Sequence, residues 1–284
     1  MTGAVYNRGM KLTQAQVETF WQAVFAHYDA AGRHALPWRQ PEVNGRFDPY
    51  KILVSELMLQ QTQVPRVISK YQEFLARFPT VTALADAPLS DVLIAWQGLG
   101  YNRRAKFLWQ AAQYVVNECR GVWPQTVEGL VRLPGVGKNT AGAIMAYAFN
   151  QASVFIETNV RTVYFHHFFH DRHDITDREL EPLIAQTLDT VKPRLFYWGL
   201  MDYGSFLKQQ GHGKISRSKH YTKQSKFEGS VRQLRGAVLR QLSSGPQSET
   251  ELLASLSDDR ADKVLAALQA EGLISRTGQM YRLA

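Results

Sequence analysis

The sequence predicts an all-helical body followed by a small tail of two helices and a β-hairpin. Three observations carry this reading. Apolar residues recur at three- and four-residue steps, no stretch before residue 270 alternates as a strand would, and a glycine hairpin joins two helical runs near residues 125–150.

The elements follow in order. Val17, Phe20, Val24, Phe25 and Tyr28 make one apolar face from Leu12 to Tyr28. Asp48-Pro49 is an N-cap followed by proline at the first helical position, so a helix bearing Ile52, Leu53, Leu57 and Met58 should start there. Ser90-Asp91 and Thr176-Asp177 are further starts, and Phe107 to Val116 has a helical pattern. Thr187 to Leu207 reads as another helix, broken or kinked at Pro193. Beyond Arg240, Glu249 to Leu256 and Ala261 to Ala270 read as short amphipathic helices. Glu271 to Leu283 reads as two small strands about a glycine turn, which completes the outline of a winged helix. At 284 residues the chain exceeds the usual single domain. The expected division is a helical body over 1–207, a basic loop or linker over 208–230 and the winged-helix-like tail over 231–284.

Charge is unevenly placed. Net charge is +8, and Lys208 to Arg240 holds nine basic residues against the single acid Glu228, enough to account for the whole excess. A polyanionic partner fits that segment, with Lys219 and Lys223 as candidate contacts, although a solvated face is the plainer alternative. The tail itself holds six acids against four bases over 246–284. That balance favours packing or a partner over phosphate binding. The single cysteine, Cys119, rules out an intramolecular disulfide and a four-cysteine iron-sulfur cluster. No apolar run suggests an export signal or membrane span, so the expected compartment is the cytoplasm, at the nucleoid in a bacterium.

Two motifs carry chemistry. In Leu133-Pro134-Gly135-Val136-Gly137-Lys138-Asn139-Thr140-Ala141-Gly142, the glycines allow a tight turn into a helix. The unpaired amides at that helix start, with Lys138 and Thr140 beside them, suit a DNA phosphate. In Ser55-Glu56-Leu57-Met58-Leu59-Gln60-Gln61-Thr62-Gln63-Val64, a carboxylate on a largely apolar helix precedes three amide side chains. Burial would raise its pKa toward that of a proton donor, and the amides can meet base edges.

From His27 to about Tyr203, roughly two thirds of the chain, the sequence resembles the catalytic domain of the MutY-type adenine DNA glycosylases of the helix-hairpin-helix superfamily. The resemblance rests on Leu36-Pro37-Trp38, the Glu56 and hairpin motifs, Trp96 with Gly98-Leu99-Gly100-Tyr101, and Asn159-Val160. It implies a helix-hairpin-helix DNA glycosylase fold acting on double-stranded DNA. Glu56 would be the general acid, Gln61 and Tyr101 would fill the hole left by the extruded base, and Gln60, Trp38 and Asn139 would lie at the base pocket. Arg103 and Arg104, after Tyr101, would meet DNA.

The chain departs from the family pattern at Glu157, after Asp202, and in its tail, which is not the separate β-rich domain that members recognising 8-oxoguanine often use. Glu157 occupies the place of the aspartate that faces the reacting sugar. Asn139 stands where a lyase carries its lysine, which implies a monofunctional enzyme. The cysteines of the usual cluster are missing after Asp202, so no cofactor is expected beyond a monovalent cation at the hairpin, and the basic segment would serve as the clamp. The expected substrate is adenine opposite guanine or 8-oxoguanine, acted on by a monomer. A uracil- or thymine-type mismatch glycosylase and a non-catalytic DNA damage-binding protein remain alternatives.

Overall fold

The computed structural model describes residues 11–169, 172–219, 221 and 226–284. Helices follow one another as α1 (Gln14–Ala31), α2 (Pro49–Leu59), α3 (Val64–Arg77), α4 (Val81–Ala85), α5 (Leu89–Ala95), α6 (Arg103–Asn117), α7 (Val127–Leu130), α8 (Lys138–Tyr147), α9 (Thr158–Phe168), α10 (Asp177–Thr187) and α11 (Pro193–Gln209). The tail adds α12 (Val231–Leu242), β1 (Gln247–Ser248), α13 (Glu249–Leu256), α14 (Ala261–Ala270), β2 (Ile274–Thr277) and β3 (Met280–Leu283). The all-helical body and winged-helix-like tail expected from the pattern are both present.

Local chemistry explains most boundaries. Thr13 and Gln16 close a reciprocal capping box on α1, and Thr176 and Glu179 do the same on α10. The Asp48 side chain accepts the Tyr50 amide at 2.8 Å, with Pro49 opening α2 as expected. Thr187 to Leu207 is broken at Pro193, as expected, rather than kinked. The chain turns extended at Leu188, and Pro193 begins α11, where its missing N–H leaves no bond unmade. The two-residue strand β1 escapes the pattern because so short an edge cannot show alternation. It pairs with β3, which also pairs antiparallel with β2 in the order β1-β3-β2.

The described residues form two compact units interleaved along the chain. Of these residues, those up to Phe47 and from Gly137 to 221 belong to one, and Asp48–Val136 with 226–284 to the other. In the first, α1 and α9 pack on α11 around Phe20, Val24, Phe165 and Phe196, all at most 1% exposed. Asp202 on α11 sits between Arg39 at 2.7 Å and Arg33 at 2.6 Å, a buried cluster that ties the 33–39 segment to that helix. In the second, α2, α4 and α5 pack on α6 around Leu53, Leu57, Leu108 and Trp96, while α12 packs on α13, α14 and β3. Among the described residues, no helix is long and apolar enough to cross a membrane.

Candidate active site

Glu56 lies half-buried on the last turns of α2, whose other side, Leu53, Val54, Leu57 and Met58, is at most 1% exposed. Apolar burial on one side and a partly open carboxylate on the other follow from helical spacing. Where α2 ends, Gln60 caps it and Gln61 takes a left-handed backbone, φ +57°. Tyr101 does the same at φ +48°, just after Gly98 and Gly100, which also have positive φ. Two non-glycine residues held there mark a strained edge.

Arg104 is what holds that edge. The sequence places it on the DNA face, but it is 7% exposed and its guanidinium is spent inside the protein. It donates to the carbonyls of Leu57 (2.6 Å) and Met58 (3.0 Å) at the end of α2, and to those of Leu99 (3.1 Å) and Gly100 (3.0 Å). A planar five-donor fork can satisfy the orphan carbonyls of a helix end and a loop at once. Burial lowers its pKa to about 10, still leaving it charged. Arg103, by contrast, is exposed and lies over the Phe107 ring at 5.5 Å.

The same unit adds residues that the motifs did not single out. Arg232 of α12 donates to the Tyr101 hydroxyl at 2.6 Å. Arg235 pairs with Glu271 at 2.6 Å, and Lys106 donates to the Glu271 carbonyl, also at 2.6 Å. Gln60, Gln61, Tyr101, Arg103 and Arg104 thus line one cavity together with Arg232, Arg235 and Glu271. Their only sequence signal was membership of the basic run and the tail.

The hairpin has the expected local form. The Val136 amide bonds the Leu133 carbonyl at 3.1 Å, and Gly135 takes φ +77°. A Cβ on Gly135 would stand 2.5 Å from that of Phe107, so only glycine fits the turn. Gly137 starts α8 with no side chain capping it, and Lys138 is exposed on the first turn, whereas Thr140 is buried.

In the unit that begins at Gly137, Asn139 fixes the approach to Glu157. Its side-chain amide donates to the Ile156 carbonyl at 3.0 Å and accepts the Ile156 amide at 3.2 Å. Glu157, the next residue, stands at the N-cap position of α9 without a side-chain cap bond and is half-buried. Burial raises its pKa above the ordinary carboxylate value, with Arg161 and the Thr158 amide pulling the other way. Trp38 is buried in the turn Pro37–Arg39 of this unit, 7% exposed.

The donor set after α11 does not fit an iron-sulfur cluster, because thiolates are required and the chain's one cysteine is Cys119. Backbone pairing and the Arg217 side chain hold the segment instead. Ile175 donates to the Arg217 carbonyl and accepts the Lys219 amide, each at 3.0 Å, and Arg217 donates to the Phe169 carbonyl at 3.1 Å. Gly213, φ +54°, lies so close to the Thr162 carbonyl that a Cβ would collide with it. The Lys219 side chain is exposed, and Lys223 lies outside the described residues.

Known proteins resemble the chain in sequence and fold. Residues 54–186 match the HhH-GPD superfamily of base excision DNA repair proteins. Against an adenine DNA glycosylase of Mycobacterium tuberculosis the chain is 34% identical over 272 residues, covering 85% of this chain and 86% of that one. Against that of Buchnera aphidicola subsp. Baizongia pistaciae it is 34% identical over 201 residues, 69% of this chain and 55% of the relative. The chain therefore spans about half the length of the Buchnera relatives it matches. Among solved structures, a thermostable thymine-DNA glycosylase superposes with TM-score 0.58 at 26% identity, over 69% of this chain and 88% of that one.

Proposed function

The chain belongs to the HhH-GPD superfamily of base excision DNA repair proteins, in its adenine DNA glycosylase family, and on that premise we propose that it excises adenine mispaired with guanine or 8-oxoguanine. The C1′–N9 bond breaks, water adds at C1′, and free adenine and abasic DNA are the products. Glu56 gives the departing adenine its proton, which makes a poor leaving group a good one and is worth roughly 10²- to 10⁴-fold. Glu157, as the carboxylate, stabilises the oxocarbenium-like sugar. Gln61 and Tyr101 fill the vacated stack. Gly135, Gly137 and Lys138 supply the phosphate grip, the Thr140 side chain being buried, with Arg103 and the basic segment around Lys219 and Lys223 adding charge.

One observation carries the reading: Asn139 clamps the backbone immediately before Glu157. This fixes a half-buried carboxylate and puts an amide, which cannot form a Schiff base, at the lyase position. The enzyme is therefore monofunctional; with Cys119 as its one thiol it holds no four-cysteine cluster, and a monovalent cation at the hairpin is the one cofactor expected. Borohydride trapping tests this: excision without any trapped protein–DNA adduct supports it, and an adduct discards it. A thymine- or uracil-type substrate is the second reading, motivated by Glu157 in place of the aspartate and by the likeness to a thymine-DNA glycosylase. Duplexes carrying T:G and U:G beside A:G separate the two.

A further inference from the structure

Glu157 is followed one turn later on α9 by Arg161. The Arg161 amide donates to the Glu157 carbonyl at 3.0 Å, which closes the turn between them. Side chains four apart on such a turn are neighbours, with Cβ atoms roughly 5 to 6 Å apart, and an acid before a base is the favourable order. The guanidinium is not free to swing away. Its Nε donates to Oδ1 of Asp177 at 2.8 Å and its Nη2 to Oδ2 at 2.6 Å, with only 16% of the side chain exposed. Two-point pairing of this kind fixes the plane of a guanidinium. Asp177 is placed in turn by the first position of α10, just after the Thr176 cap.

The other charges around Glu157 are occupied elsewhere. On α8, Asn139 meets the backbone before Glu157 with a neutral amide, and Lys138 is exposed. On α11, Asp202 is taken by Arg33 and Arg39. In the turn Ile215–Arg217, Arg217 donates to the Phe169 carbonyl beyond the other end of α9. Burial pushes the Glu157 carboxyl toward its neutral form, and among the described residues Arg161 is the charged side chain that draws it back, helped by the Thr158 amide. A carboxylate that stabilises an oxocarbenium-like sugar has to be ionised when the base leaves.

We propose that Arg161, pinned by Asp177, is a positioning residue for excision: it acts through Glu157, holding that carboxylate in its charged form while the glycosidic bond breaks. The inference rests on the part given to Glu157 in the proposed function. It also gives the ion pair between α9 and α10 a task beyond joining two helices.

The test uses the full chain and its Arg161→Gln, Arg161→Lys and combined Arg161→Gln, Asp177→Asn variants. Single-turnover excision of adenine opposite guanine is followed across roughly pH 5 to 9, where the acid side of the profile reports the carboxylate. Carbon NMR titrates the Glu157 carboxyl directly in the free protein, its signal assigned by its absence from Glu157→Gln. Thermal melting checks folding. Asp177 left alone by Arg161→Gln stands on the first turn of α10, where a carboxylate is favoured, and the combined variant leaves no unpaired charge. In Arg161→Gln the acid-side midpoint and the NMR midpoint should both rise by about one pH unit, the low end for loss of a neighbouring opposite charge. At the parent's midpoint about a tenth of the carboxyls would then be ionised instead of half, roughly a fivefold loss of rate. The combined variant should shift the same way. Arg161→Lys keeps the charge and should stay close to the parent.

Midpoints unmoved by Arg161→Gln overturn the proposal. So does an equal loss of rate at every pH, which would make Arg161 a brace between α9 and α10. A shift in Arg161→Lys as large as that in Arg161→Gln also overturns it, since charge would then not be what counts. Weaker duplex binding with a shallower salt dependence and no shift would place Arg161 on a phosphate instead. If no duplex loses adenine, the proposed function fails, and the NMR titration still decides what the pair does to Glu157.

Discussion

Asn139 and Ile156 are joined by two reciprocal hydrogen bonds, side-chain amide to backbone carbonyl at 3.0 Å and backbone amide to side-chain oxygen at 3.2 Å. A side chain on the first turn of α8 thereby sets the backbone from which Glu157 projects. Replacing Asn139 by alanine should slow single-turnover excision about 10²-fold, since a misplacement near 1 Å costs on that order. Binding to a product-like duplex should change much less. Equal losses in binding and rate would instead place Asn139 on the DNA.

Glu157 should trade stability against function. Its folded pKa is raised by burial, so its contribution to stability is fully present below the ordinary value of 4.5 and is lost as pH rises through the raised value. Glu157→Gln stays neutral throughout. The variant should therefore melt higher than the parent at pH 7 to 8, the gap should close toward pH 4, and excision should be lost. In the parent, excision should fall as pH drops through the raised pKa. A variant that melts lower at pH 7 would contradict this account of the site.

Arg104 acts as a clamp within the protein, and its removal leaves several buried carbonyls without donors. Arg104→Ala should lower unfolding stability by about 3 kcal/mol, in the range for buried charged hydrogen bonds. Arg104→Lys should recover little, because an ammonium cannot reach both the α2 end and the Leu99–Gly100 loop. Urea unfolding of the three proteins checks this, and a fully stable lysine variant would refute the fork argument.

These residues show what was legible in the sequence. Helices opened by Asp48-Pro49 or by Thr176-Asp177 could be read directly, because capping is local chemistry. The hairpin was legible because glycine spacing dictates its backbone. Arg104 was not, since a basic residue after an aromatic looks the same whether it turns toward solvent or inward to carbonyls 44 to 47 positions away. Arg232 and Glu271 were hidden for the same reason: their partners, Tyr101 and Lys106, are more than a hundred residues distant. The break at Pro193 was legible, but not that the proline would open a new helix, because a proline breaks a helix and starts one equally well.

The basic segment should act through long-range charge. Reversing Lys219 and Lys223 to glutamate should weaken duplex binding at low salt and flatten the dependence of log Kd on log salt concentration, by roughly one unit of slope for each phosphate no longer neutralised. Unchanged affinity at about 50 to 200 mM salt, the interval over which such ion pairing fades, would remove the segment from the DNA interface.

The most direct measurement concerns Glu56. A labelled duplex carrying one adenine opposite 8-oxoguanine or guanine is incubated with the chain, and strand breaks are read before and after alkali. The account predicts a break at the adenine only after alkali, abolished by Glu56→Gln while duplex binding persists. Undiminished excision by Glu56→Gln, or tight binding by the unaltered chain with no adenine released, would contradict it.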